Sequence, residues 1–216
     1  MISDGYKRNR FGDISIRYPD VNSISNLSSA DGAKVAWSHY KTSLPDSIEL
    51  RQEKLRMIIA MAEYVADKSG TRENCSSMVQ LQGLARDNLG EKELALELMK
   101  RAIDLDSKNI DALGSMGALL IRAKKFNEAR LFLAKAIVIG TEMLNMRDEA
   151  RFKIMRFLGN AVRNYSITIK EAGDLESGIM FTYMAENLWL GSEEGGWSTQ
   201  THRIALLKMR TSWKGK

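Results

Sequence analysis

The sequence predicts an all-α protein: a short, right-handed solenoid of antiparallel helix pairs, with an irregular N-terminal arm and a C-terminal capping helix. Both prolines of the 216-residue chain, Pro19 and Pro45, precede residue 46, so no later proline interrupts a helix. Apolar residues recur at spacings of three and four, which is typical of helices with one packed face. Small residues also recur at a period of 34 residues, which is typical of stacked helix pairs.

Residues 1–28 predict the irregular arm. They mix Gly, Asn, Ser, Asp and Pro with isolated apolar residues, and "GDISIRYPDV" contains the alternation of Ile14, Ile16 and Tyr18 that suits an extended segment. Either the arm packs along the helices that follow it or it waits for a partner, and the sequence leaves both alternatives open.

Residues 29–75 predict N-terminal helices that pack on the array. "SSADGAKVAWSHYKTS" suits a short helix, which Pro45 ends. Asp46 and Glu49 have the spacing of a capping box at the start of a second helix. The apolar stripe of this second helix requires a neighbour to cover it: Leu55, Ile58, Ile59, Ala62, Val65 and Ala66.

Two consecutive segments then repeat each other. Three pairs of small residues are each separated by 34 positions: Gly83 and Gly117, Ala95 and Ala129, and Ala102 and Ala136. Small residues at such places allow two helices to approach closely. Each segment is therefore predicted to fold as a helix, a tight turn ("NLGE" or "AKKF") and a second helix.

Over residues 76–143 the chain resembles the tetratricopeptide repeat family, whose helix-turn-helix unit has this length and this pattern of small and bulky positions. The later segment matches the first-helix pattern at Leu113, Met116, Gly117 and Leu120, and the second-helix pattern at Phe126, Ala129, Leu133 and Ala136. The earlier segment matches at Val79, Gly83, Ala95, Met99 and Ala102, but has Gln82 and Arg86 where the family prefers apolar residues.

A weaker resemblance continues to residue 192, which gives a repeat region of 76–192. Gly159, Gly178 and Ala185 correspond to the earlier small residues, but Gly159 and Gly178 are 19 residues apart where Gly83 and Ala95 are 12 apart. The first helix of this third unit is therefore predicted to be about two turns longer than its counterparts. Its second helix is predicted from about residue 174 to about residue 190.

Residues 193–216 predict the capping helix and a basic tail, after a break at "GSEEGGW". A stack of repeats needs a terminal helix that covers its exposed core. Ile204, Leu207 and Trp213 are the residues expected to face inward.

The basic character of the chain lies in its C-terminal third. The net charge is +5, and residues 151–216 hold ten Lys and Arg against six Asp and Glu, a balance of +4. "RFKIMRFLGNAVRNYSITIK", residues 151–170, contains five cations and no carboxylate. Within it Arg156, Asn160, Arg163 and Asn164 fall at spacings of three and four on one helix face, apart from the apolar stripe.

In the tetratricopeptide repeat family the first helices of successive pairs line a concave surface on which peptides lie. Some members hold a partner's C-terminal carboxylate with basic and asparagine residues. The resemblance thus implies a non-enzymatic scaffold or adaptor that binds an acidic or C-terminal peptide segment through a fork of arginine donors and asparagine amides. The site would comprise Arg122, Lys153, Arg156, Asn160, Arg163 and Asn164.

Three alternatives remain open. The cationic face is a solvated surface whose arginines pair with Asp148, Glu149 or Glu186. The chain is a structural subunit that reaches a neighbour through the arm at 1–28. The chain binds RNA or another nucleic acid through "YKRNRF" and "THRIALLKMRTSWKGK", which combine cations with aromatic residues.

Catalysis is not expected. The two histidines, His39 and His202, lie at opposite ends of the chain, and the lone cysteine, Cys75, has no activating neighbour in sequence. No phosphate-binding glycine motif or metal-ligand spacing occurs in the sequence, so no cofactor or metal is expected. The sequence lacks an apolar run of membrane-spanning length and an N-terminal signal pattern, which leads us to expect a cytoplasmic protein.

Overall fold

A computed structural model describes residues 6–8, 14–16, 24–43, 47–144, 150–193 and 199–214. These residues form two short strands and nine helices, which confirms the all-α class, and the chain divides into two compact units, Met1–Asn109 and Ile110–Lys216. Within the described ranges, no helix combines the length and the apolar character that a bilayer crossing requires.

The first unit holds both strands and four helices: β1 (Tyr6–Arg8), β2 (Ile14–Ile16), α1 (Ser29–Ser43), α2 (Ile48–Asp67), α3 (Arg72–Asn88) and α4 (Lys92–Leu105). The segment predicted to be extended is β2, which pairs antiparallel with β1 so that Tyr6 lies opposite Ile16. Ile24 is buried in the core formed with α1, α2 and α3. The end of the arm therefore packs on the helices that follow it.

Helix α2 begins one residue later than the predicted capping box. Ser47 is its N-cap, and the Ser47 hydroxyl accepts a hydrogen bond from the backbone N–H of Leu50. Asp46, the predicted cap, lies outside the described residues. The predicted apolar stripe is buried from Leu55 to Val65, and Ala66 is half-buried.

The second unit holds five helices: α5 (Ile110–Arg122), α6 (Phe126–Leu144), α7 (Arg151–Glu171), α8 (Leu175–Glu193) and α9 (Gln200–Lys214). Helices α5 with α6 and α7 with α8 form consecutive pairs, as α3 with α4 do in the first unit. The predicted sequence of helix, tight turn and helix is confirmed in all three pairs.

The three pairs turn in the same way. Two residues beyond the end of each first helix, the backbone has a positive φ: Gly90 at 88°, Lys124 at 59° and Gly173 at 95°. The next residue donates its N–H to the carbonyl five positions earlier, as in a Schellman motif. Gly90 follows Gly83 by seven residues and Gly173 follows Gly159 by fourteen, so the third unit gains its two predicted turns after Gly159.

One glycine in the first helix of each pair marks the close approach of the paired helices. A Cβ atom on Gly117 would lie 2.4 Å from Cγ of the buried Leu133, and one on Gly159 would lie 2.6 Å from the Trp189 ring. A Cβ on Gly83 would lie 3.2 Å from the carbonyl oxygen of Ala95. These positions accept only the smallest side chain without displacement of a neighbour.

The inward face of α9 differs from the prediction. Ile204 and Leu207 are 47% and 59% exposed, whereas Leu206 and Arg210 are buried and Trp213 is half-buried. The physical reason is an ion pair with α8: the Arg210 Nη1 atom donates to a Glu186 Oε2 atom at 2.7 Å. This pair turns the face with Leu206 and Arg210 inward and leaves Ile204 and Leu207 outside.

Candidate functional site

Helix α7 presents two different faces. Leu158 and Val162 lie in a core cluster with Ala185 and Trp189 of α8 and Leu206 of α9. The row predicted to bind a partner is rotated away from this packed stripe by helical periodicity.

The structure places the six predicted site residues at three depths. Arg122, in the last turn of α5, and Lys153 are exposed. Arg156, Asn160 and Arg163 are half-buried, and Asn164 is 8% exposed. The row on α7 thus runs from an exposed amine to a buried amide.

Arg156 lies over an aromatic ring. Its Cζ atom is 4.9 Å from the centroid of Phe157, and Lys153 Nζ is 5.6 Å from the same centroid. Burial lowers the pKa of Arg156, and the charge of Asp111 on α5 acts in the opposite direction. The Phe157 face stabilises a cation, while burial removes part of the water that would solvate it.

Arg163 is held by the neutral amide beside it. Its Nη1 atom donates to Oδ1 of Asn164 at 3.2 Å, and burial lowers the pKa of the Arg163 guanidinium. Among the described residues, no carboxylate forms an ion pair with Arg163. Because the buried Asn164 accepts from Arg163, its oxygen orients this guanidinium.

The acid that was predicted to neutralise this face is engaged elsewhere. Glu186 pairs with two cations of α9, Arg210 at 2.7 Å and Arg203 at 3.6 Å. Asp148 and Glu149, the other predicted counter-charges, lie outside the described residues. At the end of α7, Lys170 pairs with the neighbouring Glu171 at 2.7 Å.

His202 was not assigned to this face from the sequence. His202 of α9 stacks against Trp189 of α8, with ring centroids 4.9 Å apart. Partial burial, the charge of Arg163 and the charge of Arg156, in that order, lower the pKa of His202. His202 therefore lies within electrostatic reach of both arginines, although 39 residues separate it from Arg163 in sequence. No local motif marks this relation, because it depends on how α9 packs.

Chemically, the arrangement is suited to holding an anion. Two partly desolvated guanidinium groups on one helix offer planar pairs of N–H donors that match a carboxylate. Lys153 adds an exposed amine and Asn160 an amide at the same face. The fold and this face together define an all-α protein of helix pairs with a cationic row on α7.

No protein-family model and no curated protein matches the chain. Among solved structures, a crystal structure of MamA is similar at 16% sequence identity, with a TM-score of 0.46, and covers 83% of this chain and 98% of that one. The crystal structure of a Podosopora anserina putative kinesin light chain with nearly identical TPR-like repeats is similar at 13% identity, with a TM-score of 0.46, and covers 88% of this chain and 97% of that one.

Proposed function

We propose that this chain is a non-enzymatic protein-binding module, and that the cationic row of α7 holds an acidic or C-terminal peptide segment of its partner. The observation that carries the proposal is the state of Arg163. Its guanidinium is half-buried, it is oriented by a neutral amide, and burial disfavours its charged form. A bound carboxylate would offset that cost, because a buried charge is stabilised by a hydrogen-bonded counter-charge.

The site residues divide by depth into two roles. Arg156 and Arg163 would form charge-assisted hydrogen bonds with carboxylates of the peptide, and Asn160 would bind its backbone or an amide side chain. Lys153 and Arg122 would attract the acidic segment from the exposed rim. Loss of one half-buried arginine contact should weaken binding by about 1.5–3 kcal/mol, whereas loss of a rim cation should cost less than about 1 kcal/mol.

The test is a pull-down from a lysate of the native host, with partners identified by mass spectrometry and nuclease added to half of the samples. The site variant is Arg156→Glu with Arg163→Glu. The control variant is Lys100→Glu with Lys108→Glu, which makes the same change in net charge at two exposed positions of the first unit.

We expect a protein that binds the wild type and the control variant, survives nuclease and is lost from the site variant. Equal capture by all three proteins would contradict the proposal and would favour an interaction through the arm. Capture that disappears only with nuclease would identify nucleic acid as the partner.

A further inference from the structure

Partial burial lowers the pKa of the His202 imidazole, and helix α9 brings this ring close enough to the cationic row of α7 that the charges of Arg163 and Arg156 lower it further. Its ring contacts Trp189, whose indole is buried against Gly159 of α7. The residue as a whole is exposed, so a ligand that lies on α7 has access to it. Histidine is also the side chain whose charge changes most readily near neutral pH.

The charged groups around His202 are predominantly cationic. Helix α7 contributes Arg156 and Arg163, and α9 itself contributes Arg203. On α8, Glu186 is engaged by Arg203 and Arg210, and Glu193 accepts hydrogen bonds from Thr199. Asp111 of α5 acts on Arg156. Partial burial and this field lower the pKa of His202, so they disfavour its charged form.

We propose that His202 is a third donor of the peptide-binding face, and that an acidic peptide binds to Arg156, Arg163 and His202 with uptake of a proton by the imidazole. This inference rests on the proposed function and deepens it. It assigns to α9 a share in ligand recognition, and it makes binding of the acidic segment tighter as the pH falls.

The coupling follows from position and charge. Trp189, on which His202 stacks, packs against Gly159, and Arg156 and Arg163 lie one turn before and one turn after Gly159 on α7. Without ligand, the two arginines and partial burial oppose a positive charge on His202. A carboxylate on the arginines reverses the sign of the local field and accepts a hydrogen bond from the protonated ring. A group that is protonated more readily in the complex than in the free protein increases affinity on acidification.

The first experiment measures binding by fluorescence anisotropy at about pH 5.5 and about pH 7.5, a window in which glutamate stays ionised. The probe is a labelled octapeptide that ends in four glutamates with a free carboxylate. Its matched control ends in four glutamines with a C-terminal amide. For the wild type we expect on the order of fivefold tighter binding of the acidic probe at the lower pH.

Three variants separate the role of His202 from the role of the arginines. His202→Gln should still bind the acidic probe, with little change between the two pH values. His202→Lys should bind at both pH values about as tightly as the wild type does at the lower one. Arg163→Gln should weaken binding at both pH values.

The second measurement follows the His202 ring by NMR titration with and without the acidic probe. The chain contains only two histidines, and the pKa of the buried His39 is about 4, so the His202 signal is readily assigned. The probe should raise the titration midpoint of His202 and leave that of His39 unchanged.

The two hypotheses fail in different ways. If the wild type binds the acidic probe and Arg163→Gln weakens it, but His202→Gln keeps the full pH dependence and the His202 midpoint does not move, then the inference about His202 is wrong and the peptide-binding face stands. If the wild type binds the acidic probe and the glutamine control equally at both pH values, both proposals are overturned.

Discussion

Helices α3 and α7 occupy the same place in their helix pairs but carry different side chains on the corresponding row. When Gly83 is aligned with Gly159, Gln80 corresponds to Arg156 and Asn88 to Asn164. Between them, Leu84 and Asp87 of α3 correspond to Asn160 and Arg163 of α7. The two helices share their place in the fold. They differ in the hydrogen bonds and charges of the side chains on this row.

In α3 the row forms hydrogen bonds inside its own unit. Gln80 is 1% exposed and its Oε1 atom accepts from Asn109 at 3.4 Å. Asn88 donates to the Tyr40 hydroxyl and to the carbonyl of Leu84, each at 2.9 Å. A neutral amide with such a partner is buried at little net cost, as Gln80 is, and Asn88 is exposed.

In α7 the corresponding row contains two half-buried guanidinium groups, for which burial lowers the pKa. A charge that is partly removed from water lowers the stability of the fold unless a counter-charge meets it. The comparison teaches that the α3 row is satisfied by hydrogen bonds within its unit, whereas in the α7 row burial disfavours the charge of Arg163. The proposed peptide ligand would offset that effect.

The largest expected effect comes from moving the charge to the other row. Gln80→Arg places a guanidinium at a buried position whose neighbours Asn109 and Ser76 are neutral. It should lower the free energy of unfolding by about 3–5 kcal/mol, measured by urea denaturation. The reverse change in α7, Arg156→Gln, should alter it by less than about 1 kcal/mol. Equal losses would show that the two rows do not differ.

The second effect concerns the shared backbone plan. Gly159→Val drives a side chain into the Trp189 ring, and should cost about 2–3 kcal/mol and lower the melting temperature by roughly 5–10 °C in calorimetry. Gly114→Ala is the matched control, because its new Cβ would lie 3.9 Å from Cβ of Ala161, an ordinary contact. Its melting temperature should stay unchanged or rise, since alanine favours a helix. A harmless Gly159→Val would contradict the close approach of α7 and α8.

The third effect compares the two histidines. His39 of α1 is buried, and burial together with the charge of Lys54 lowers its pKa from 6.5 to about 4. The unfolded chain therefore binds a proton below about pH 6.5 that the folded chain takes up only near pH 4. Stability is full above that window, falls as the pH drops through it and levels off below it.

Between about pH 7.5 and about pH 5, the His39 contribution should lower the free energy of unfolding by about 2 kcal/mol. Urea titrations of the wild type and His39→Gln at several pH values measure the difference, because other groups titrate alike in both proteins. The pKa of His202 is also lowered, so His202→Gln should change the slope in the same direction, but less than His39→Gln because His202 is exposed. Parallel slopes for the wild type and His39→Gln would contradict the assignment.

The smallest effect concerns Asn109, whose side-chain amide donates a hydrogen bond to Gln80 of the α3 row. The side chain of Asn109 donates to Ser76 Oγ at 2.9 Å and to Gln80 Oε1 at 3.4 Å. Asn109→Ala should therefore cost about 1–2 kcal/mol in urea denaturation. Asn127→Ala, at an exposed position of α6, should change stability by less than about 0.5 kcal/mol. If both variants behave alike, the hydrogen bonds of Asn109 do not support the row.

The sequence predicted the helix pairs because their signals are local and periodic. Gly83, Gly117 and Gly159 mark close approaches, and a count of residues between Gly159 and Gly178 was enough to predict the longer α7. The orientation of α9 was wrong, because the Arg210–Glu186 ion pair joins helices that no local pattern connects.

The candidate site divides in the same way. Arg156, Asn160, Arg163 and Asn164 share one helix, so their common face followed from spacing alone. The contributions of Asp111 and His202 come from other helices and depend on packing. Helical periodicity could not predict how deeply each residue of the row is buried. Asn164 is buried and Lys153 is exposed because of the helices that pack against α7.

The most direct test of the difference between the rows is the free energy of unfolding of Arg163→Gln, measured by urea denaturation beside the wild type. If Arg163 is kept for a ligand, the shorter neutral amide should leave stability unchanged or raise it by up to about 1 kcal/mol. A loss of about 2 kcal/mol or more would mean that Arg163 holds the fold together, and the cationic row of α7 would then be a structural feature like the row of α3.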